Sequence, residues 1–439
     1  MNLSERYLKS ISAIIDEMSS DLSKYVVRAG KDFTRKRCFS FSDVIRTILG
    51  WNAGTLNSTL LDSFADKPYL PTASAFVQQR NKIKPEAFET LFHRFTDENA
   101  SYDNKFKDYQ LLAADGSAIQ IPTDPTDTES FFPGSVGQRP YNLLHLNTIY
   151  DLNNLYYSDA IVQKQHVYDE HRALVTMVDR SSISKAILIA DRGYEGYNVM
   201  AHIQKKGWSF IIRAKDFSVG GIVHSLNLEK TGEFDNELVL NIRRSNKKET
   251  IQNNTVSTLS KTIHDHTVFD YIDVHDKQSC FELFLRIVRI QLAPDSYEVL
   301  ITNLPSTTFS PDDIKMLYSK RWGIETSYRD LKYIVGLLHF HAKKVEYILQ
   351  ELFASLLMYN FCGLITSHIT LPKKNNCKYR YKVDFSAAVH ICKELFRGKM
   401  SPQKAAACIP KFLTPIRPDR HYSRRYNTGL KNSFVYRLA

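Results

Sequence analysis

Seven consecutive segments between residues 109 and 213 constrain this chain more than anything else in its sequence. A compact apolar run at 109–114 ends in Asp115-Gly116-Ser117, and strand-like alternation follows near 143–150 and 155–162. Helical spacing then covers 169–180, a fully apolar strand 186–190, a second helix 197–206 after the Gly193 and Gly196 turn, and a further strand 208–213. Three strands followed by helix, strand, helix and strand fit few architectures. The order predicts a mixed sheet with helices on its faces. Two aspartates, Asp115 after LLAA and Asp191 after ILIA, stand at the C-terminal ends of predicted strands, where open α/β sheets gather their ligand groups. Aspartate at such a junction is also a common turn former, so either residue alone says little.

The flanks divide the 439 residues further. Residues 1–104 read as helical, with apolar spacing in Tyr7, Ile11, Ile14 and Ile15 and again in Val44, Ile45, Ile48 and Leu49. Within them, 72–95 reads as two short amphipathic helices broken near Lys84-Pro85, a helix-turn-helix-like unit with the run Arg35, Lys36, Arg37 as its basic partner and DNA as its expected ligand. Residues 105–365 form the expected central domain, interrupted at about 213–300 by a β-rich insertion with strands at 238–242, 267–274, 281–290 and 297–302. Residues 366–439 are expected to be basic and mostly helical. Of the net charge of +11, the stretch 371–439 alone supplies +13, from 16 Lys and Arg against Asp384, Glu394 and Asp419, leaving −2 for the rest. With Tyr379, Tyr381, Tyr422, Tyr426 and Tyr436 interleaved, it suits a polyanion such as nucleic acid, although a solvated basic tail has the same composition.

Cys38, Cys280, Cys362, Cys377, Cys392 and Cys408 form no CxxC pair and have no histidine at zinc-finger spacing, which points to reduced thiols and a cytoplasmic setting. The N-terminus lacks the pattern of a signal peptide. The most apolar stretch, 352–366, is shorter than a membrane span and contains Asn360, so a buried helix and no membrane partner are expected.

A helix is expected to begin at Ser310, a good N-cap, with Pro311 in the first helical position and Asp312 and Asp313 at the positive end of the dipole. Extended as one helix through Lys332, it places Tyr318, Arg321, Glu325 and Lys332 within about 60° on one face at roughly 100° per residue. Leu317, Ile324, Tyr328 and Leu331 form an adjacent anchoring stripe. A carboxylate between two cations suits phosphate and metal, whereas Arg321 and Glu325 taken alone are an ordinary i,i+4 ion pair. Together Asp115, Asp191 and Glu325 would offer hard oxygen ligands for two Mg²⁺ ions, with Mn²⁺ as a substitute.

The segment from Tyr318 to Lys332 matches the pattern Y-x2-R-x3-E-x6-K, and LLAADGS (111–117) and ILIADRGY (187–194) precede it in order. In these three blocks the chain resembles the DDE transposases of the insertion sequence 4 family, over about 105–365 and more loosely in the N-terminal helices. The resemblance implies an RNase H-like catalytic domain in which Asp115, Asp191 and Glu325 are the catalytic metal ligands and Tyr318, Arg321 and Lys332 position transposon-end phosphates. Arg192 could reach a phosphate or pair with a nearby acid, and Trp322 could stack on an unpaired base or be buried. Glu170 and His171 resemble a polar spot in the family, though an acid at a helix N-terminus is ordinarily exposed. Gly323 marks a close approach of backbone or DNA. The implied protein is a prokaryotic, nucleoid-associated enzyme that binds the terminal inverted repeats of its element, hydrolyses phosphodiester bonds with Mg²⁺ and joins 3′-hydroxyl ends to target DNA. It would work as a homodimer in a synaptic complex, through a hairpin intermediate. The rivals are a catalytically inert DNA-binding regulator of the same fold and a Mg²⁺-dependent nuclease without strand transfer.

Overall fold

The computed structural model describes residues 2–35, 37–51, 54–65, 70–100, 103–135, 137–217, 220–226, 228–245, 251–253, 258–294, 296–369, 371 and 379–416. Among the described residues five α-helices precede the first strand: α1 (Leu3–Ser20), α2 (Phe41–Leu49), α3 (Leu56–Phe64), α4 (Ala73–Arg80) and α5 (Pro85–Asn99). Their starts follow local chemistry. Ser40 and Asp43 close a reciprocal capping box, Thr55 and Thr72 cap α3 and α4 through their hydroxyls, and Pro85 opens α5. The expected break at Lys84-Pro85 is therefore present.

The strands β1 (Gln110–Ile121), β2 (Phe131–Phe132), β3 (Tyr141–Asp151) and β4 (Tyr156–Lys164) come next. Helix α6 (Glu170–Arg180), β5 (Ala186–Ala190), α7 (Tyr197–Lys205) and β6 (Ser209–Ala214) follow in the expected alternation. In space β4, β3 and β1 are antiparallel neighbours, and β5 and β6 lie parallel to β1 on its other side. Side chains alternate between faces: Leu112 and Ala114 join the core under α6 and α7, while Leu111 joins a cluster on the opposite face. The molecule is thus a mixed sheet flanked by helices.

After the short α8 (Ile222–Ser225), the chain forms β7 (Phe234–Arg244), β8 (Ile251–Asn253), β9 (Thr258–Ile263), β10 (Phe281–Ala293) and β11 (Ser296–Thr302). β11 pairs with β6, and β10, β7, β9 and β8 follow outward, so the region expected as a β-rich insertion prolongs the same sheet to eleven strands among the described residues. The strand expected at 267–274 is absent. Arg244, 4% exposed, donates to the carbonyls of His264, Asp265, Thr267, Phe269 and Ile272, which satisfies that backbone as a loop instead of a ladder.

The chain returns to the sheet through α9 (Pro311–Ser319) and α10 (Trp322–Arg329), and a π-helical turn, Asp330–Val335, continues to Gly336 in the left-handed region. Helix α11 (Val345–Ser367) then crosses the helical layer, followed by β12 (Arg380–Val383), α12 (Phe385–Phe396), α13 (Pro402–Cys408) and β13 (Leu413–Ile416). At 23 residues α11 is long and apolar enough to cross a membrane, contrary to the shorter run expected, yet 89% of its apolar window is buried in the protein. Buried Asn360 ties it to the sheet edge. Asn360 accepts from the Tyr157 amide at 2.8 Å, donates to the Tyr157 carbonyl at 2.8 Å and donates to Thr96 at 2.9 Å, closing the open edge of β4 as a neighbouring strand would. At Gly363 a Cβ would collide with the Leu155 carbonyl, so only glycine lets helix and sheet edge approach this closely.

One hydrophobic core joins α1, α2, α5, α11, α12 and α13 to one face of β1, β3 and β4. The first hundred residues therefore share their interior with elements more than 240 residues away in sequence. Of the cysteines, Cys38, Cys280, Cys362, Cys392 and Cys408 are free thiols; Cys377 lies outside the described residues, as do Lys36 and most of the basic stretch, including Tyr422, Tyr426 and Tyr436.

Candidate active site

The two aspartates are brought together by backbone register. β1 and β5 run parallel with Ala114 opposite Ala190, the last pair of their ladder, so Asp115 and Asp191 are the next residues on two adjacent strands, which lie about 4.8 Å apart. Only Asp191 ends its strand, leading into the single 3₁₀ turn Arg192–Tyr194. Asp115 does not enter the expected turn. β1 continues through it because Asp115, Gly116 and Ser117 stay paired with Thr148, Asn147 and Leu146 of β3, so the site opens where β5 leaves β1. The Asp115 carboxylate accepts from the Gly116 amide at 2.9 Å, and its backbone carbonyl accepts from the Tyr328 hydroxyl at 2.7 Å. Tyr328 was read from the sequence as part of the anchoring stripe. It is buried as that reading requires, and it also ties α10 to the site strand.

The helix expected to run unbroken from Pro311 to Lys332 is interrupted. Its start is as expected, with a Ser310–Asp313 capping box and Pro311 in the first turn. At 320–324 the bonds tighten to the i→i−3 type, from Lys320 to Leu317, Arg321 to Tyr318, Gly323 to Lys320 and Ile324 to Arg321. Gly323 explains why the interruption fits here. A Cβ on it would stand 2.7 Å from a Leu152 methyl, so the close approach expected at this glycine is to the β3–β4 turn. Lys332 falls in the π-helical turn.

Despite the interruption, the four polar side chains converge on the aspartates. The Tyr318 hydroxyl donates to Asp191 Oδ1 at 3.2 Å, Arg321 Nη2 donates to Glu325 Oε1 at 2.8 Å, and Lys332 Nζ donates to Ser117 Oγ at 2.7 Å and to the Ala118 carbonyl at 2.9 Å. Arg321 is 7% exposed, and its Nε is buried with no hydrogen-bond partner among the described residues. Its guanidinium lies over the Trp322 ring at 5.1 Å, and that ring is half exposed. Arg192 is exposed on the turn after Asp191.

Electrostatics tie these groups into one field. The Asp115 carboxyl is pushed up to about 6, first by burial, with the charges of Glu325 and Glu170 adding to the shift and the Gly116 amide and Arg321 opposing it. Burial lowers Lys332, against the pull of Asp115. Tyr318 and Glu298 are both raised by burial, with Asp191 contributing to each. Two residues here were missed in the sequence. Glu298 on β11 pairs with Arg213 at 3.3 Å beside Asp191, and His145 on β3 lies against Gly116. Neither has a local sequence signal, because each is brought in by a neighbouring strand.

The donor set suits a hard divalent cation: carboxylate oxygens on a rigid strand pair, with excess negative charge around Asp115 that such an ion relieves. Among the described residues no three His, Cys, Asp or Glu side chains already stand as a metal-holding cluster. Arg321 and Lys332 are instead cations facing these acids.

The family model described as the transposase DDE domain matches residues 106–361. No curated protein matches the chain. Among solved structures, the cryo-EM structure of a piggyBac transposase synaptic complex with hairpin DNA is similar over 91% of this chain and 82% of that chain, at 9% identity and a TM-score of 0.42.

Proposed function

Given that this chain belongs to the transposase DDE domain family, we propose that it is a DNA transposase of the insertion sequence 4 type, with an RNase H-like catalytic core, that cleaves the ends of its own element and joins the 3′-hydroxyl ends to target DNA. The observation that carries this reading is the register that sets Asp115 beside Asp191 under the Tyr318 hydroxyl and the Arg321–Glu325 pair.

Asp115, Asp191 and Glu325 would hold Mg²⁺, or Mn²⁺ in its place. When bound, such ions make water or a 3′-hydroxyl nucleophilic and stabilise the leaving oxygen. The chain's own residues do the rest. Tyr318 holds the Asp191 carboxylate through its hydroxyl. Arg321, anchored by Glu325 through Nη2, binds phosphate oxygens through its guanidinium as the strand end enters. Lys332, lashed to Ser117, supplies a fixed positive charge beside Asp115. Arg192 offers a further cation to the backbone, and Trp322 a stacking surface for a base.

The N-terminal helices bind the terminal repeats in this reading. Arg28, Lys31, Arg35, Arg37 and Lys82 line a cavity of about 440 Å³ in which Asp32 is the only acid among the lining residues, a concentration of positive charge suited to the phosphate backbone. The basic residues beyond Ile416 add to that attraction, and a homodimer brings two element ends together.

The test is incubation of purified protein with Mg²⁺ and DNA carrying the element's terminal repeats. Cleavage with joining to a second duplex is the expected outcome. Cleavage alone would make the protein a nuclease, and binding alone a regulator. Because α12 and α13 belong to the shared core, the segment to delete is 417–439, and its loss should flatten the salt dependence of DNA binding.

A further inference from the structure

Helix α6 begins at the two aspartate-bearing segments. Asp169 caps it, and the next two side chains turn back onto the sheet. His171 Nε2 contacts the Gly193 carbonyl at 2.6 Å, docking the helix on the segment after Asp191. Glu170 is not the solvent-facing acid usual in a first helical turn. Its side chain is only 30% exposed, and its two oxygens face the two segments separately. Oε1 occupies the space a Cβ would need at Gly116, the residue after Asp115, and Oε2 lies 3.9 Å from where a Cβ would stand on Gly193, two residues after Asp191. Glycine at 116 is thus what admits this carboxylate beside Asp115.

A buried histidine fixes it there. His145, 6% exposed and stacked on Tyr168 with ring centroids 4.4 Å apart, places Nε2 2.8 Å from Glu170 Oε1. The approach is close but off the hydrogen-bond line, leaving both ring nitrogens without an aligned partner. Glu170 is therefore a carboxylate wedged between the Asp115 and Asp191 segments, backed by an imidazole, in a position no turn or cap requires.

We infer that Glu170 is a fourth acidic residue of the site, which together with His145 strengthens its hold on divalent cations. The inference rests on the metal reading proposed above for Asp115, Asp191 and Glu325. Outer carboxylates and their histidine partners orient a metal's direct ligands and contribute to affinity, and losing one typically weakens binding about 10–100-fold.

The experiment is a Mn²⁺ titration of the full chain without DNA, with the free ion followed by electron paramagnetic resonance. Glu170→Gln should raise the Mn²⁺ Kd about tenfold, and Glu170→Asp, which keeps the charge but retracts it by one methylene, should raise it by a smaller factor. Asp115→Asn serves as the reference for loss of a direct ligand. If Glu170→Gln titrates like the unaltered chain while Asp115→Asn loses Mn²⁺, the inference is overturned and the metal reading stands. If the unaltered chain takes up no Mn²⁺, both fall together. Should Glu170→Gln fail to fold, Glu170→Asp decides alone: a Kd equal to that of the unaltered chain overturns the inference, and a raised Kd supports it.

Discussion

The strand pair that carries Asp115 and Asp191 and the helical segment that carries Tyr318 to Lys332 meet at one site but are held in different ways. The aspartates are placed by backbone hydrogen bonds: five successive residue pairs of a parallel ladder end at Ala114 opposite Ala190 and leave the carboxylates no freedom of register. The helical segment passes through α, 3₁₀-like and π-helical geometry within about fifteen residues and is positioned by side chains, with Tyr318 on Asp191, Tyr328 on the Asp115 carbonyl and Lys332 on Ser117. The difference teaches where each half can be broken. The strands are set by backbone pairing, whereas the helix is set by side chains: apolar anchors such as Leu317, Ile324 and Leu331 hold it on the core, and a few hydroxyl and ammonium contacts aim its polar face.

The largest expected effect lies on the strand side. Asp191→Asn leaves the ladder intact and should lower DNA cleavage by on the order of 10³-fold or more, with an unchanged melting temperature; near-normal cleavage would show that the register brings together the wrong pair. On the helix side, Tyr318→Phe keeps the ring and removes only the tie to Asp191. Cleavage should fall about tenfold, equivalent to ~1.4 kcal/mol, and a loss as large as that of the aspartate variant would make Tyr318 more than a support.

Gly116→Ala probes the contact between the strands and their surroundings. The new methyl meets the His145 ring and the Glu170 carboxylate, so thermal unfolding should show a loss of roughly 1–3 kcal/mol. A neutral result would mean that α6 yields easily and the wedge is loose.

The last comparison is in pH. Asp115 has its folded-state value raised from 3.8 to about 6, so between these values the folded state binds more protons than the unfolded one. Stability without metal should therefore decline as pH rises from about 4 to 6 and stay at the lower level above. Comparing melting curves across that range for the unaltered chain and Asp115→Asn isolates this share, since the variant should lack it.

Much of the strand half was legible in the sequence because it is local: an apolar run, a polar break and a caprock of glycine mark where β5 ends and α7 begins. The N-cap at Ser310 and the special status of Gly323 were legible for the same reason. What escaped is non-local. Nothing near Asp115 says that β3 will pair past it and keep the strand going, or that Arg244 will gather five carbonyls and replace a strand with a loop. The break after Ser319 escaped because the Leu152 methyl that meets Gly323 comes from a turn about 170 residues earlier. His145 and Glu298 reach the site only through strand pairing.

The core shared by α5 and α11 also sets a timetable for synthesis. Phe88, Leu91, Phe92 and Phe95 of α5 are buried in the core that α11 completes, yet α11 is translated about 250 residues later, an interval of roughly 10–50 s at about 5–20 residues per second. For that time the emerging chain carries an aromatic face covered only in part, with Tyr7 of α1 against Phe95 but the α11 side open. The ribosome-bound polypeptide must shelter the open part of that surface by transient burial or by a chaperone, and the helical layer can close only once α11 has emerged.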